Sequence, residues 1–396
     1  MKTELNIVPS ERLGGVSEYF FSRKLREIDE MRAAGKEVIN LGIGGPDLPP
    51  APSVIEILCR ESVKPNTHSY QPNKGTLMLR KAFSDWYRTQ YRVELDPATE
   101  ILPLIGSKEG LLNICMTYLN KGDKVLVPNP GYPTYRSAVT LAGGVCVDYV
   151  LDEAKDWLPD FDALDEVAFE EGVKMMLVNY PHMPTGKLPT KELFERLVQF
   201  GREHNILIVH DNPYSFIRNS NPMSLLSVEG AKEVVIELNS LSKSHNMAGW
   251  RIGMIGGKKE RIDEILRFRS NMDSGMFYPM QAAAAEAMAL GNEWYKQLND
   301  TYYSRQAKAY AIMDAIGCTY TPDQAGLFVW AKLPDGEGDC YTYSDKILYE
   351  CGVFITPGGI FGSQGERYLR ISLCAPEEVF EKSLKKIETA FNTKEQ

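Results

Sequence analysis

Histidine and cysteine are sparse in this chain and poorly placed for metal or disulfide chemistry. Five histidines are scattered singly, with no H-E-x-x-H or comparable spacing, so the sequence offers no metal site. Seven cysteines, an odd number running from Cys59 to Cys374 without a C-x-x-C pair, fit neither a disulfide framework nor a zinc cluster and point to a reducing, cytoplasmic setting. Positive charge is short as well: a formal net charge of -9 leaves no electrostatic footprint for nucleic acid or an anionic membrane. Long apolar runs are missing. The richest, AAAAEAMAL at Ala282 to Leu290, is broken by Glu286, and the opening MKTELNIVPSERLGG has no apolar core of the signal-peptide kind. The expected partners are therefore small molecules, with no nucleic acid and no membrane.

What remains is an ordinary globular composition, 43% hydrophobic and 24% charged, on 396 residues, which predicts two lobes rather than one simple core. SEYFFSRKLREIDEMRAAGK has helical spacing, and VINLGIG reads as a short strand. From Ile101 onward, apolar runs alternate with helical segments: ILPLIG, KVLVPNP, VKMMLVNYP, NILIVHDNP, VVIELNSLS and RIGMIGG. Near-continuous Val, Ile, Leu and Met predicts strands buried on both faces, hence an α/β fold with a mostly parallel sheet. AAAAEAMALGNEWYKQLNDTYYSRQAKAYAIMDAIG reads as one long helix bridging to a smaller α+β lobe, in which AGLFVWAKLP, GVFITPGGIFG and RYLRISL are strands.

Five of the apolar runs end in polar clusters: GSKEG, NPGYPTY, NYPHMPTG, HDNPY and NSLSK. In a parallel sheet the carboxyl ends lie on one edge, where open α/β sheets bind ligands, so these segments are expected to converge on one cleft. Lys243, between Ser242 and Ser244, reads either as a solvated surface charge or as a partly desolvated amine with its pKa lowered for carbonyl chemistry. Ser107 and Lys108 open a helix whose N–H groups suit a phosphate, and Ser107 equally suits plain capping. Arg251 is a second phosphate ligand or an edge salt-bridge partner. Tyr132 stacks on a planar ring or merely packs. Asp211, behind the apolar ILIVH, needs a cationic or strongly donating partner such as a protonated pyridine nitrogen, with an N-cap as the alternative; Tyr214 is placed to bond a phenolic oxygen on the same ring. Together these make up the inventory that pyridoxal 5'-phosphate requires.

At this point the sequence resembles the class I/II aminotransferases, the fold type I pyridoxal phosphate enzymes. SLSKSHNMAGWRIG is similar to their lysine signature; NPGYPTY, NYPHMPTGK and HDNPY resemble their cofactor-contact motifs in the same order; LGIGGPDLP and YLRIS match their substrate-carboxylate segments. The resemblance implies a seven-stranded, mostly parallel sheet in a large cofactor-binding domain, residues 48–290, with residues 1–47 and 291–396 forming the small domain. It implies that Lys243 holds the cofactor as a Schiff base and then shuttles a proton, Asp211 keeps the ring nitrogen protonated, Tyr214 bonds the ring oxygen and Tyr132 stacks. Ser107, Lys108, Ser240 and Arg251 would hold phosphate, and Asn179 would add a cofactor contact. Arg370 would clamp the substrate α-carboxylate with help from the Gly44 backbone. Tyr70, in YQPNKG, would reach the phosphate of a neighbouring subunit, which implies a homodimer with shared sites.

One position departs from the family pattern. Where the family usually reads N-N-P-T-G, this chain has HMPTG, and Met183 replaces an asparagine that donates to the ring oxygen. Losing that donor is expected to raise the pKa of the Schiff base, with His182 or Asn179 as replacement donors.

The implied reaction moves an amino group from an L-amino acid to a 2-oxo acid such as 2-oxoglutarate. A carbon–sulfur lyase or decarboxylase on the same fold is the alternative. A dinucleotide-binding dehydrogenase is set aside, because LGIGGPD carries Pro46 and Asp47 where a G-x-G-x-x-G turn needs glycine and a helix start. The N-terminal portion is similar to the branch holding aspartate and LL-diaminopimelate aminotransferases. Within that resemblance Tyr19 touches the substrate, and Lys108 faces a distal carboxylate or is simply solvated. Tyr19, Phe20 and Phe361 would equally suit a large apolar side chain.

Overall fold

A computed structural model describes residues 7–169 and 172–392; the first six residues of the opening segment lie outside it. Twelve strands are present among these residues: β1 (Ile39–Asn40), β2 (Ile101–Leu104), β3 (Lys124–Asn129), β4 (Val145–Val150), β5 (Val173–Asn179), β6 (Leu207–Asp211), β7 (Val235–Ser240), β8 (Gly253–Gly257), β9 (Phe328–Lys332), β10 (Val353–Phe354), β11 (Thr356–Pro357) and β12 (Tyr368–Ser372).

Seven of them form the main sheet, in the order β2-β8-β7-β6-β5-β3-β4. All pairs are parallel except those of β8, which runs against both β2 and β7. The six apolar runs seen in the sequence supply six of these strands. Their near-continuous hydrophobicity has a direct cause: β2, β7 and β8 are buried at every position because helices cover both faces. Helix Lys191–Glu203 shows how the cover is built. Thr190 caps it, accepting from the Leu193 N–H at 3.1 Å, and Leu193, Phe194, Leu197, Val198 and Phe200 turn one buried face to the sheet. Burying each such side chain stabilises the fold by roughly 1.5–3 kcal/mol.

Two expectations are corrected here. VCVDYV forms the edge strand β4, which the sequence reading passed over because only Tyr149 along it is fully buried. The long helical stretch is two helices, Tyr278–Met288 and Asn292–Ala315, interrupted at 289–291 where Gly291 takes an extended conformation (φ -79, ψ -175). Glycine and asparagine at that point are the only break signal in an alanine-rich pattern. The first helix packs on Pro52–Ser62 and Leu77–Tyr91; the second packs on Glu377–Asn392 and β9.

A three-stranded antiparallel sheet, β11-β12-β9, and the parallel pair β1-β10 complete the architecture. The chain is therefore α/β with a seven-stranded, mostly parallel sheet and a small antiparallel sheet.

Candidate active site

The sheet delivers its polar clusters to one edge. Strands β3, β5, β6 and β7 end there with Asn129, Asn179, Asp211 and Ser240; β2 runs out there into Gly106 and Ser107. Because β8 is antiparallel, its amino end brings Arg251 to the same edge. A cleft of about 470 Å³ opens at this edge, lined by Tyr19, Gly44, Ser107, Lys108, Tyr132, Asn179, Asp211, Tyr214, Ser240, Lys243, Arg251 and Arg370 among others. Of the residues singled out in the sequence, Tyr70, Phe20 and His182 are not among those that line it, and Tyr70 lies on the surface. It is 91% exposed, on a segment whose neighbour Gln71 bridges to Gly275.

An anion cup forms at the start of helix Ser107–Tyr118. Gly106 caps this helix at φ +80, and a Cβ there would lie 2.1 Å from the Arg251 Nη2, so only glycine allows both the turn and the approach of the guanidinium. Arg251 is itself in the left-handed region (φ 58), held by a 3.0 Å bond from Nη1 to the Ala248 carbonyl. The Ser240 and Ser242 hydroxyls, 2.9 Å apart, stand beside Lys243 on the short helix that follows β7. Free helix N–H groups, a guanidinium and hydroxyls are the donor set a phosphate takes.

Lys243 donates from Nζ to the Gly44 carbonyl at 2.6 Å. Burial lowers its pKa, and the nearby Arg370 and Arg251 charges push the same way. Both effects leave more of the amine neutral and nucleophilic. Gly44 has no room for a side chain: a Cβ would sit 2.3 Å from Phe328 Cζ.

Asp211 accepts from the Tyr135 hydroxyl at Oδ2 (2.9 Å), while its buried Oδ1 has no protein partner. Burial pushes its carboxyl up to about 6, with the Tyr135 bond and the His210 charge opposing. An orphaned carboxylate oxygen at this depth fits a cationic N–H donor. Tyr214, whose ring packs edge-on against Phe328 at 5.9 Å, has its hydroxyl pKa raised mainly by burial. The phosphate cup, the desolvated lysine and the unpartnered carboxylate oxygen fit pyridoxal 5'-phosphate at its phosphate, its aldehyde and its ring nitrogen respectively.

Arg370 is 4% exposed and lies in an aromatic cage, its Cζ 3.9 Å from the Phe328 ring centroid, 4.6 Å from Phe361 and 5.7 Å from Phe21. Its Nη2 donates to the Gly42 carbonyl at 2.9 Å, Nη1 lies 3.4 Å from the Met183 sulfur, and the buried Nε has no partner. Burial lowers its pKa to about 10, which still leaves it cationic at neutral pH. A desolvated guanidinium with donors in reserve is suited to a bidentate carboxylate.

Of the two replacement donors expected for Met183, Asn179 is engaged on both sides, and His182, although its buried Nε2 has no partner, does not line the cleft. Asn179 accepts from the Met183 N–H at 2.8 Å and donates to the Asp211 carbonyl at 2.7 Å. His182 pairs with Thr185 at 2.8 Å, is held neutral by burial, with its pKa near 3, and is not among the described residues lining the cleft.

Sequence reasoning missed Tyr135 and the cage residues Phe21 and Phe328. Tyr135 was legible in retrospect: it stands three residues after Tyr132, on the same helical face, and the two rings meet edge-on at 5.5 Å. The cage residues come from distant segments and carried no local signal.

A seven-stranded α/β sheet whose strand ends bring together a desolvated lysine, a carboxylate with a buried unpartnered oxygen and an anion cup has the architecture of a fold type I pyridoxal phosphate enzyme. Comparison with known proteins narrows the class. Residues 36–387 match the family Aminotransferase class I and II. The LL-diaminopimelate aminotransferase of Oleidesulfovibrio alaskensis is 40% identical over 96% of this chain and 98% of its own. The substrate-bound structure of BacF from Bacillus subtilis superposes with a TM-score of 0.92 at 34% identity, covering 97% of this chain and 98% of that one. An aromatic aminotransferase from Pyrococcus horikoshii gives a TM-score of 0.85 at 28% identity, over 93% and 99% of the two chains. The chain belongs to the class I and II aminotransferases, and it is a pyridoxal-phosphate-dependent enzyme that moves an amino group between an amino acid and a 2-oxo acid.

Proposed function

We propose that this aminotransferase takes an amino donor of the LL-diaminopimelate type, with 2-oxoglutarate as acceptor. The observation that carries the reading is Lys108. It lines the cleft with its ammonium 5.1 Å from the centre of the Tyr19 ring, on the same cleft as Arg370, so one cation is available for the α-carboxylate and another for a distal one. The relative from Oleidesulfovibrio alaskensis supports the same donor class through its name. A second reading has its own support: Phe21, Leu25, Ile43 and Phe361 give the cleft an apolar wall that would take an aromatic donor. Steady-state assays with LL-diaminopimelate, glutamate, phenylalanine and methionine decide between them. A kcat/KM for phenylalanine above that for LL-diaminopimelate refutes the first reading, and Lys108→Ala should raise KM for LL-diaminopimelate without affecting phenylalanine.

In this reading Arg370 binds and orients the α-carboxylate, the Arg251 and Ser107 cup anchors the phosphate, and Tyr132 stacks on the ring. Asp211 accepts from the ring nitrogen, and Tyr214 donates to the ring oxygen. The cofactor supplies an electron sink for the pair left when the α C–H bond breaks. Lys243 Nζ takes that proton from the substrate α-carbon, a task its lowered pKa suits at neutral pH. The aromatic walls exclude water from the reacting carbon.

Residues 48–290 form the large unit in this account, with 1–47 and 291–396 as the smaller one; the helix break at 289–291 supports that boundary. Tyr70, Met272 (69% exposed) and Phe277 (39%) offer an apolar surface for a second copy, whose phosphate cup Tyr70 would complete. No described helix is long and apolar enough to cross a membrane. No described cysteine is joined in a disulfide, which supports a reducing, cytoplasmic location.

A further inference from the structure

Side chains alternate faces along a strand, so while Asp211 serves the cleft its neighbour His210 points away from it. His210 and Glu237, register partners on β6 and β7, are both fully buried. His210 Nδ1 lies 2.9 Å from Glu237 Oε2, and its Nε2 lies 2.9 Å from the Tyr180 carbonyl oxygen. A carbonyl only accepts, so Nε2 carries a proton. The Glu237 oxygens also receive the Tyr87 hydroxyl (2.8 Å), the Ser224 hydroxyl (2.9 Å to each oxygen), the Leu225 N–H (2.9 Å) and the Asn212 amide (3.5 Å). With so many donors already turned to the Glu237 carboxyl, Nδ1 meets an acceptor as well, so both ring nitrogens of His210 face acceptors, the hydrogen-bonding pattern of a doubly protonated ring.

The cluster grips the residues around the site. His210 and Asn212 flank Asp211. Tyr87 accepts from Asn239 at 3.1 Å, and Asn239 in turn accepts from the Ser240 N–H at 2.8 Å. One buried network therefore ties the end of β6 to the end of β7.

We propose that Glu237 and His210 form a buried charge pair that positions Asp211 and keeps it ionised for the cofactor's ring nitrogen. The proposal rests on the reading of Asp211 as the ring-nitrogen partner. His210 is the chain neighbour of Asp211, and its charge lowers the Asp211 carboxyl pKa against burial. The other ionisable groups facing Asp211 are Tyr135 from helix Pro133–Leu141 and Tyr214 after β6, with Lys243 on the same cleft. Those facing the pair from behind are Tyr87 and Tyr91 of helix Leu77–Tyr91, both with pKa values raised by burial first and by the Glu237 charge second. The Phe194 ring closes the last side, 5.2 Å from His210 and edge-on.

The test uses Glu237→Gln, which keeps size and hydrogen bonding but removes the charge, with Tyr87→Phe as a control that removes one donor and leaves the charge. Nitrogen-15 NMR of the histidine-labelled apoprotein at about pH 8 should show one doubly protonated histidine, and Glu237→Gln should lose it while Tyr87→Phe keeps it. In parallel, pyridoxal 5'-phosphate affinity is titrated against pH by fluorescence quenching. For Glu237→Gln the acid limb should move up by about one pH unit, weakening binding about tenfold at the acid end, and for Tyr87→Phe it should stay in place. A wild-type spectrum without a doubly protonated histidine overturns the proposal, and this arm decides even if Glu237→Gln does not fold. An unmoved Glu237→Gln binding profile overturns it as well. Failure of the underlying reading is seen separately: Asp211→Asn would then bind the cofactor with the wild-type pH profile, whatever the apoprotein spectrum shows.

Discussion

Asp211→Asn should stabilise the protein without cofactor while weakening its hold on cofactor. In the apoprotein burial pushes the Asp211 carboxyl from its usual 3.8 up to about 6. A carboxyl raised in the folded state contributes stability that is fully present below pH 3.8 and is lost as pH rises through about 6. At about 1.36 kcal/mol per pH unit, holding it ionised at pH 8 costs up to about 3 kcal/mol. The asparagine variant lacks that cost and still accepts from the Tyr135 hydroxyl. In urea denaturation of the apoproteins the variant should therefore be more stable by up to about 3 kcal/mol at pH 8, falling to about 1.6 kcal/mol at pH 5, a difference of about 1.4 kcal/mol. With pyridoxal 5'-phosphate present the order should reverse, because the carboxylate then has its cationic partner. Equal stabilities of the two apoproteins at pH 8, or a gap that does not change with pH, would refute the reasoning.

Other positions give sharp outcomes. Met183→Asn restores a donor to the ring oxygen, so the visible band of the loaded protein should titrate at lower pH than in the wild type; coincident midpoints would sink the idea. Gly106→Ala places a Cβ 2.1 Å from Arg251 Nη2 at a φ of +80 and should weaken phosphate-dependent cofactor binding at least about tenfold, since moving the guanidinium costs on the order of 1–3 kcal/mol; pyridoxal without the phosphate should bind both forms equally. Arg370→Lys loses the bidentate fork inside its aromatic cage, and kcat/KM for every amino donor should fall by about 100-fold or more, measured with saturating cofactor. Tyr70→Phe should loosen cofactor only in a preparation that sediments as a dimer; a monomer with full cofactor affinity would contradict the shared-site reading.

Much of the fold was legible because burial on two faces leaves a simple signature. The runs that became β2, β3, β5, β6, β7 and β8 are apolar almost throughout; the first five end where their polar clusters are needed, and β8 starts there. Edge strand β4 was illegible for the converse reason: with one side open it alternates Val145, Cys146, Val147 and Asp148, and looks like a loop with apolar interruptions. The break before Asn292 escaped because alanine-rich sequence keeps helical spacing on both sides of a single glycine. At the site, residues adjacent in sequence to the strand ends could be read directly. Phe21 and Phe328 around Arg370 could not, and Phe361 was legible only as a wall for a large apolar substrate, since three separate segments build that cage and only folding brings them together. His210 was passed over for a similar reason: beside Asp211 it looks like one more core residue, and its partner Glu237 lies on the next strand, 27 residues away.

The central claim is that Lys243 and its neighbours run transamination on a donor of the LL-diaminopimelate type. The most direct test is the visible spectrum of the purified protein loaded with pyridoxal 5'-phosphate, recorded after one equivalent of LL-diaminopimelate and again after 2-oxoglutarate. The account predicts that the donor bleaches the cofactor band and that 2-oxoglutarate restores it, with no ammonia released. Keto acid and ammonia formed with the band intact, or no band that Lys243→Ala abolishes, would contradict it.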